Sequence, residues 1–220
     1  MEVFLQQSHL TTRICLVRHG ETGWNAQSRI QGHMDEELNA RGIAQARATA
    51  HGLRGHEFKA IYSSDLSRAS ATAGVIASVL NLDVSTRTDL RERHYGCAQA
   101  LTYDEVREHH PDEYRRFLER DPDHAFPGGG ESLQEFSQRI RNALAEIACT
   151  HSGQQVLVVT HGGALDIVNR FVRGNPLHTP RDFTIPNCSL NWVEHGAQGW
   201  RMVSWAGQSH LDKSLDELPG

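Results

Sequence analysis

Two histidines are placed where a phosphoryl group could be handled. Arg18-His19-Gly20-Glu21-Thr22 follows the apolar run Ile14-Cys15-Leu16-Val17, and Thr160-His161-Gly162-Gly163 follows Val156-Leu157-Val158-Val159. Both runs have the length and composition of short buried strands, so each histidine is predicted at the carboxyl end of a strand. In an open α/β sheet, ligands bind in the crevice outside those ends, and neighbouring strands lie about 4.8 Å apart. Two imidazoles so placed can face one small substrate. A neutral imidazole attacks phosphorus when its other nitrogen is held so that the attacking one keeps its lone pair. Arg18 adjoins His19, and its planar fork matches phosphoryl oxygens two at a time. Arg68 falls in the first turn of a helix predicted to begin near Asp65, and a helix N-terminus itself favours an anion. Gly20 and Gly162, each following a histidine, let the backbone approach a ligand with its N–H exposed. Phosphoryl transfer needs mainly positioning and charge neutralisation, which two arginines and a second histidine can supply.

Alternating strand and helix patterns must position these groups. Helices are predicted over Asn39 to Leu53, over Asp65 to Leu80 with Ser64 or Asp65 as its cap, and over Leu133 to Ala148. Ala60-Ile61-Tyr62-Ser63 reads as another strand. This is βαβ grammar and predicts an α/β fold: a mainly parallel central sheet with helices on both faces. One catalytic domain over 1–220 is expected from the length. Between Leu101 and Pro127 the pattern turns charged and helix-prone, with Pro111 inside Tyr103 to Arg120. That segment, 101–127, suits a helical lid over the site or a solvated surface helix. The ends, near 1–11 and 207–220, are polar and expected to be mobile.

Composition narrows the partners. A net charge of -5 with no basic stripe argues against nucleic acid. No apolar stretch approaches the roughly 20 residues of a membrane span, and the start lacks a secretory pattern. Cys15, Cys97, Cys149 and Cys188 form no C-x-x-C pair, so reduced thiols and a cytoplasmic setting are expected. His9, His51, His56, His109, His110, His124, His151, His178 and His210 have no ligand-like spacing and read as surface residues; no metal is expected. His161 with Asp166 could be imagined as a metal site, but no partner pattern supports it. Gly128-Gly129-Gly130-Glu131-Ser132 lacks the ending of a phosphate-cradling loop and reads as a turn with Ser132 near a helix start.

The long motif Arg18-His19-Gly20-Glu21-Thr22-Gly23-Trp24-Asn25, with Ser64-Asp65-Leu66-Ser67-Arg68-Ala69 and Thr160-His161-Gly162-Gly163, resembles the histidine phosphatase superfamily, which includes the cofactor-dependent phosphoglycerate mutases. The resemblance spans about residues 13 to 195 and implies a three-layer α/β/α fold of the phosphoglycerate mutase type. It implies that His19 becomes phosphorylated, that Arg18, Arg68 and His161 surround the phosphoryl group, and that no metal is needed. Thr22 belongs to the same motif, and Asn25, Gln31 and Gly32 match positions lining the pocket in relatives. Glu92 matches the family's proton donor and acceptor. A carboxylic acid there would protonate the leaving oxygen and then, as carboxylate, activate water.

Two reactions share the first step. Glu92-Arg93-His94-Tyr95-Gly96 looks like the mutase version of its segment, where Arg93 and Tyr95 would hold phosphoglycerate, and Arg115-Arg116 resembles the mutases' basic pair. The run after Gly96 lacks the mutase lysine, and Ala100 stands where both branches usually have glycine. Gly129-Gly130-Glu131-Ser132 and Pro186-Asn187-Cys188-Ser189-Leu190 look like the phosphatase branch. The resemblance therefore implies a phosphatase acting on a small phosphorylated metabolite. The alternatives are a mutase primed by 2,3-bisphosphoglycerate and a non-catalytic binding relative. Oligomeric state is not legible.

Overall fold

The computed structural model describes residues 10–211. Six strands form one sheet: β1 (Thr12–Arg18), β2 (Ala60–Ser64), β3 (Val84–Arg87), β4 (Gln155–Thr160), β5 (Leu190–Gly196) and β6 (Gly199–Gly207), in the order β3-β2-β4-β1-β5-β6. The first four are mutually parallel, and β5 and β6 add an antiparallel ribbon beyond β1. Seven helices accompany them: α1 (Gly23–Ala26), α2 (Ala40–Gly52), α3 (Ser67–Leu80), α4 (Tyr103–His109), α5 (Pro111–Glu119), α6 (Leu133–Thr150) and α7 (Gly162–Arg173).

The unbroken apolar runs are explained by cover on both faces. Ile14, Leu16, Val156 and Val158 pack with Phe136, Ile140 and Leu144 of α6 and with Leu165, Ile167 and Val168 of α7. The alternate residues Cys15, Val17, Leu157 and Val159 pack on the other side with Ala50 of α2 and Ala69, Ala73 and Ile76 of α3. The strand period of two thus sends consecutive side chains into two separate cores. Small alanines on the inner faces of α2 and α3 let that layer lie close.

The register of β1 on β4 pairs Arg18 with Thr160, and the His19 N–H continues the ladder onto the Thr160 carbonyl at 3.0 Å. His19 and His161 consequently emerge side by side at the carboxyl edge. β5 runs antiparallel on the other side of β1, and the loop before it brings Asn187 to the same edge.

Some expectations change in detail. The segment Tyr103 to Arg120 is two helices, because Pro111 opens α5 at its N-terminal position, where its missing N–H costs nothing. Helix α3 starts at Ser67, not at Asp65, and its N-cap Leu66 makes no side-chain cap. Asp65 is turned to Arg91, while the Ser64 hydroxyl accepts from the Leu66 N–H. Ser132 does cap α6, in a reciprocal capping box with Glu135. Ala100 adopts a left-handed conformation (φ 67°), the backbone region that makes glycine usual there. Of the expected mobile ends, Leu211 is buried beside Ala48 and Cys188, and residues 1–9 and 212–220 lie outside the described residues. No helix among the described residues is long and apolar enough to cross a membrane.

Candidate active site

The histidine edge opens into a cavity of about 210 Å³, lined by Arg18, His19, Asn25, Gln31, Gly32, Arg68, Glu92, Arg93, Tyr95 and Gly162, with further residues from the 101–127 segment and the loop before β5. Ten positions singled out from sequence thus meet in one place.

His19 is 3% exposed, and its Nδ1 lies 2.7 Å from the Gly20 carbonyl. A carbonyl only accepts, so Nδ1 carries the proton and Nε2 keeps its lone pair. Burial, followed by Arg68 and Arg18, pushes the His19 pKa well below its ordinary value, against a smaller opposing effect of the Gly20 hydrogen bond. The ring is therefore neutral and nucleophilic at Nε2 at neutral pH. His161 is fully buried, its ring centroid 5.2 Å from that of His19. Its Nε2 lies 2.8 Å from the Ser64 hydroxyl, which accepts from Leu66 N and has no other acceptor for its own proton among the described residues, so it donates to the imidazole. That assigns the His161 proton to Nδ1. Burial, with Arg68 next, also holds the His161 pKa well below normal.

Arg68, 0% exposed, is aimed by Gly32 and Met34, whose carbonyls accept from its two terminal nitrogens at 2.7 and 2.8 Å. Arg18 is aimed by the Ile185 carbonyl at 2.7 Å. Burial brings the Arg68 pKa down to about 10, which leaves it fully charged at neutral pH. Three buried nitrogens, Arg18 Nε, Arg68 Nε and His161 Nδ1, have no hydrogen-bond partner among the described residues. Buried donors without partners are uncommon, and three belonging to residues around one nucleophile form a receptor for an oxyanion.

Glu92 sits beside this receptor. One carboxyl oxygen accepts from Arg93 N at 2.8 Å and the other from Gly163 N at 2.9 Å, in the first turn of α7. A Cβ at Gly163 would lie 2.1 Å from Glu92 Oε1, so the approach requires glycine.

Gly20 and Thr22 do other work than expected. The Gly20 N–H donates to Thr72 Oγ1 at 3.0 Å, and its carbonyl orients His19, so it offers no donor to the cavity. Thr22 is fully buried and forms a capping box with Asn25 at the start of α1. His124, expected at the surface, is 5% exposed and lines the cavity, its Nε2 2.8 Å from Glu113. Asp166 is occupied by Arg120, Arg170 and Arg181. Among the described residues no group of three or more His, Cys, Asp or Glu side chains is arranged to hold a metal ion.

Sequence reasoning passed over Ser64 as the His161 partner, although its place at the end of β2 beside β4 follows from the strand order. It also passed over the far wall of the cavity, where Tyr103, Arg116 and Arg120 from the 101–127 segment meet Arg181. Of the Arg115-Arg116 pair, Arg116 lines the cavity and Arg115 faces outward to Asp112 and Glu119. Nothing local in the sequence marks these contributors, because a loop some 57 residues away carries the carbonyl of Leu177 that holds Arg120.

The chain is similar to several known proteins. The chain is 42% identical over 202 residues to a metal-independent phosphoserine phosphatase of Arabidopsis thaliana, covering 91% of this chain and 83% of that protein. It is 40% identical over 204 residues to phosphoglycerate mutase-like protein 4 of the same plant, covering 91% and 87%. Among solved structures, a mycobacterial glucosyl-3-phosphoglycerate phosphatase superposes with a TM-score of 0.80 at 30% identity, covering 90% of this chain and 100% of that one. The profile of the histidine phosphatase superfamily (branch 1) matches residues 14–208, and the chain belongs to that family.

Proposed function

We propose that this protein hydrolyses small phosphate monoesters through a phosphohistidine at His19, and that its substrates carry a second anionic group. The observation that carries the reading is the neutral His19, with its lone pair on Nε2, beside three unpartnered buried donors. Nε2 attacks phosphorus, Arg18, Arg68 and His161 Nδ1 take the equatorial oxygens, and Glu92 gives its proton to the ester oxygen as the P–O bond breaks. Glu92, now a carboxylate, takes a proton from water as that water attacks the phosphohistidine, and His19 is regenerated. No step calls on a metal, in keeping with the name of the metal-independent relative.

The second anion follows from the far wall. Arg116, Arg120 and Arg181 line it together with Asp121 and with Asp166, which pairs with Arg120 and Arg181, so among these lining residues positive charge exceeds negative. The cavity's size favours a substrate of a few carbons. Phosphoserine, the substrate named for one relative, fits this description, as do phosphoglycerates.

The test is release of inorganic phosphate, without added metal, from phosphoserine, 3-phosphoglycerate and neutral-tailed alkyl phosphates, with acid-labile phosphoenzyme trapped in parallel. Phosphate release that favours the doubly anionic esters, and is lost in His19→Ala, is expected. Full activity in His19→Ala would overturn the covalent route. The mutase reading draws on Arg93 and Tyr95, which line the cavity. Formation of 2-phosphoglycerate in place of free phosphate, with 2,3-bisphosphoglycerate as primer, would establish it instead.

A further inference from the structure

Glu92 must reach the ester oxygen to within hydrogen-bond distance, yet it lies in an irregular segment between a single 3₁₀ turn (Thr88–Leu90) and Arg93. What holds that segment is a pair outside the cavity. Arg139 projects from the second turn of α6, its guanidinium over the Phe136 ring at 5.0 Å. It bonds the carbonyls of Asp89 at 2.9 Å, Arg91 at 3.0 Å and Glu92 at 3.1 Å, and both carboxylate oxygens of Glu131 at 2.7 Å. Those are five acceptors for the five N–H groups of one guanidinium, so the fork is saturated. Glu131 carries the clamp onward: its carboxylate accepts from His94 N at 3.0 Å, its N–H donates to His94 O at 2.9 Å, and its carbonyl accepts from Arg93 Nε at 3.0 Å. Glu92 is thus bracketed by fixed backbone on both sides, and His33 Nε2 makes a second bond to its carbonyl at 2.8 Å.

We infer that Arg139 and Glu131 are positioning residues for proton transfer: their bidentate pair sets the backbone of residues 89–94 so that the Glu92 carboxyl meets the leaving oxygen. The inference rests on the phosphohistidine reading above. Neither residue lines the cavity, so neither touches substrate. Both are largely buried, and the pair joins α6 to the loop. A lysine at 139 would keep the charge but has three donors and no planar fork, so it cannot hold five acceptors.

The experiment separates positioning from mere support by changing the leaving group. An alkoxide must be protonated as it departs, whereas 2,4-dinitrophenolate leaves as the anion. Phosphohistidine formation is measured in single turnovers at saturating ester, with phosphoserine (or the alkyl ester turned over fastest in the panel above) and with 2,4-dinitrophenyl phosphate. Glu92→Gln provides the reference pattern. Arg139→Lys is expected to slow the alkyl ester by roughly ten- to a hundredfold, a fraction of the full effect of a general acid, and the dinitrophenyl ester by less than about threefold. In the Glu92→Gln background, Arg139→Lys should have no further effect on the alkyl ester, since the group it positions is gone. Glu131→Gln, which preserves volume and one acceptor oxygen, should show the same leaving-group selectivity if Arg139→Lys proves unstable. Equal losses on both esters, or additive losses with Glu92→Gln, would overturn the positioning role while leaving His19 chemistry intact. Absence of phosphohistidine in the unmodified enzyme with either ester would overturn both readings.

Discussion

His19 reacts only as the neutral base, and what makes it neutral is also what binds the substrate. Burial, Arg68 and Arg18 hold its pKa well below 6.5. The acid limb of phosphoenzyme formation should therefore lie below pH 6.5. Arg68→Gln removes one positive neighbour, so the His19 pKa rises toward its ordinary value and the acid limb moves to higher pH, in addition to a loss of rate. Single-turnover pH profiles with 2,4-dinitrophenyl phosphate would show the shift; an unmoved limb would mean that another group controls it. Two glycines make a sharper contrast. An alanine Cβ at Gly163 meets the end of the Glu92 side chain, which can swing away, so Gly163→Ala should fold yet lose most alkyl-ester turnover. At Gly20 the Cβ meets the Gly42 carbonyl at 2.5 Å, rigid backbone on both sides, so Gly20→Ala should instead lower the thermal midpoint. Comparing melting with turnover for the pair checks both. The residues legible in the sequence are those that follow directly on a strand or open a helix, such as His19, His161 and Arg68. Ser64, Arg139 and Arg181 were not legible as partners, because each acts through a contact fixed by tertiary packing and not by local spacing.

The elements divide along the same line. The strands β1 and β4 could be read because cover on both faces makes their centres continuously apolar, and α6 because its periodicity and Ser132 cap agree. The ribbon β5–β6 was not read: Leu190–Gly196 and Gly199–Gly207 mix polar residues with Trp192, Trp200 and Trp205, and only a hairpin joined by Ala197 and Gln198 explains them. Pro111 broke the apparent long helix at the position where a proline best starts a new one. How the 101–127 segment is fastened was also hidden in the sequence. Asp166 of α7, 3% exposed, takes Arg120 from the end of α5, Arg170 from its own helix and Arg181 from the loop before β5. Removing the one carboxylate leaves three guanidinium groups facing one another, one of them 1% exposed. Breaking a buried ion pair in this way costs about 3–5 kcal/mol. Asp166→Ala is accordingly expected to lose about that much in urea unfolding, whereas Arg115→Ala, which breaks only exposed pairs, should lose under about 1 kcal/mol. Similar losses for the two variants would show that Asp166 does not fasten the segment.

At the scale of the whole molecule, a site built from buried neutral histidines makes stability depend on pH in a defined window. The pKa values of His19, His161, His33 and His124 are all lowered, in each case by burial first. Between the depressed folded value and the ordinary 6.5, the unfolded chain binds protons that the folded one refuses, so unfolding becomes easier as pH falls. The full stability from this source is present above pH 6.5. A histidine that stays neutral in the fold gives up about 1.4 kcal/mol at pH 5.5, and the two fully buried ones together about 3 kcal/mol. The paired carboxylates act lower: Asp65, Glu131 and Asp166 have depressed values, so their contributions persist until the pH falls below the ordinary carboxylate range. Urea unfolding from pH 7.5 to 5 should therefore show a decline beginning near pH 6.5, well before carboxylate protonation begins. His161→Gln can keep an amide bonded to Ser64 without a titrating ring, so it should flatten the slope by about one histidine's share. His51→Gln, at an exposed position in the last turn of α2, is the surface control. A flat profile down to pH 5.5 in the unmodified protein would mean that both site histidines take up protons in the folded state. His19 would then be without its lone pair over that range, and phosphoenzyme formation should fail there as well, so the unfolding curve and the rate profile test the same protonation state from opposite ends.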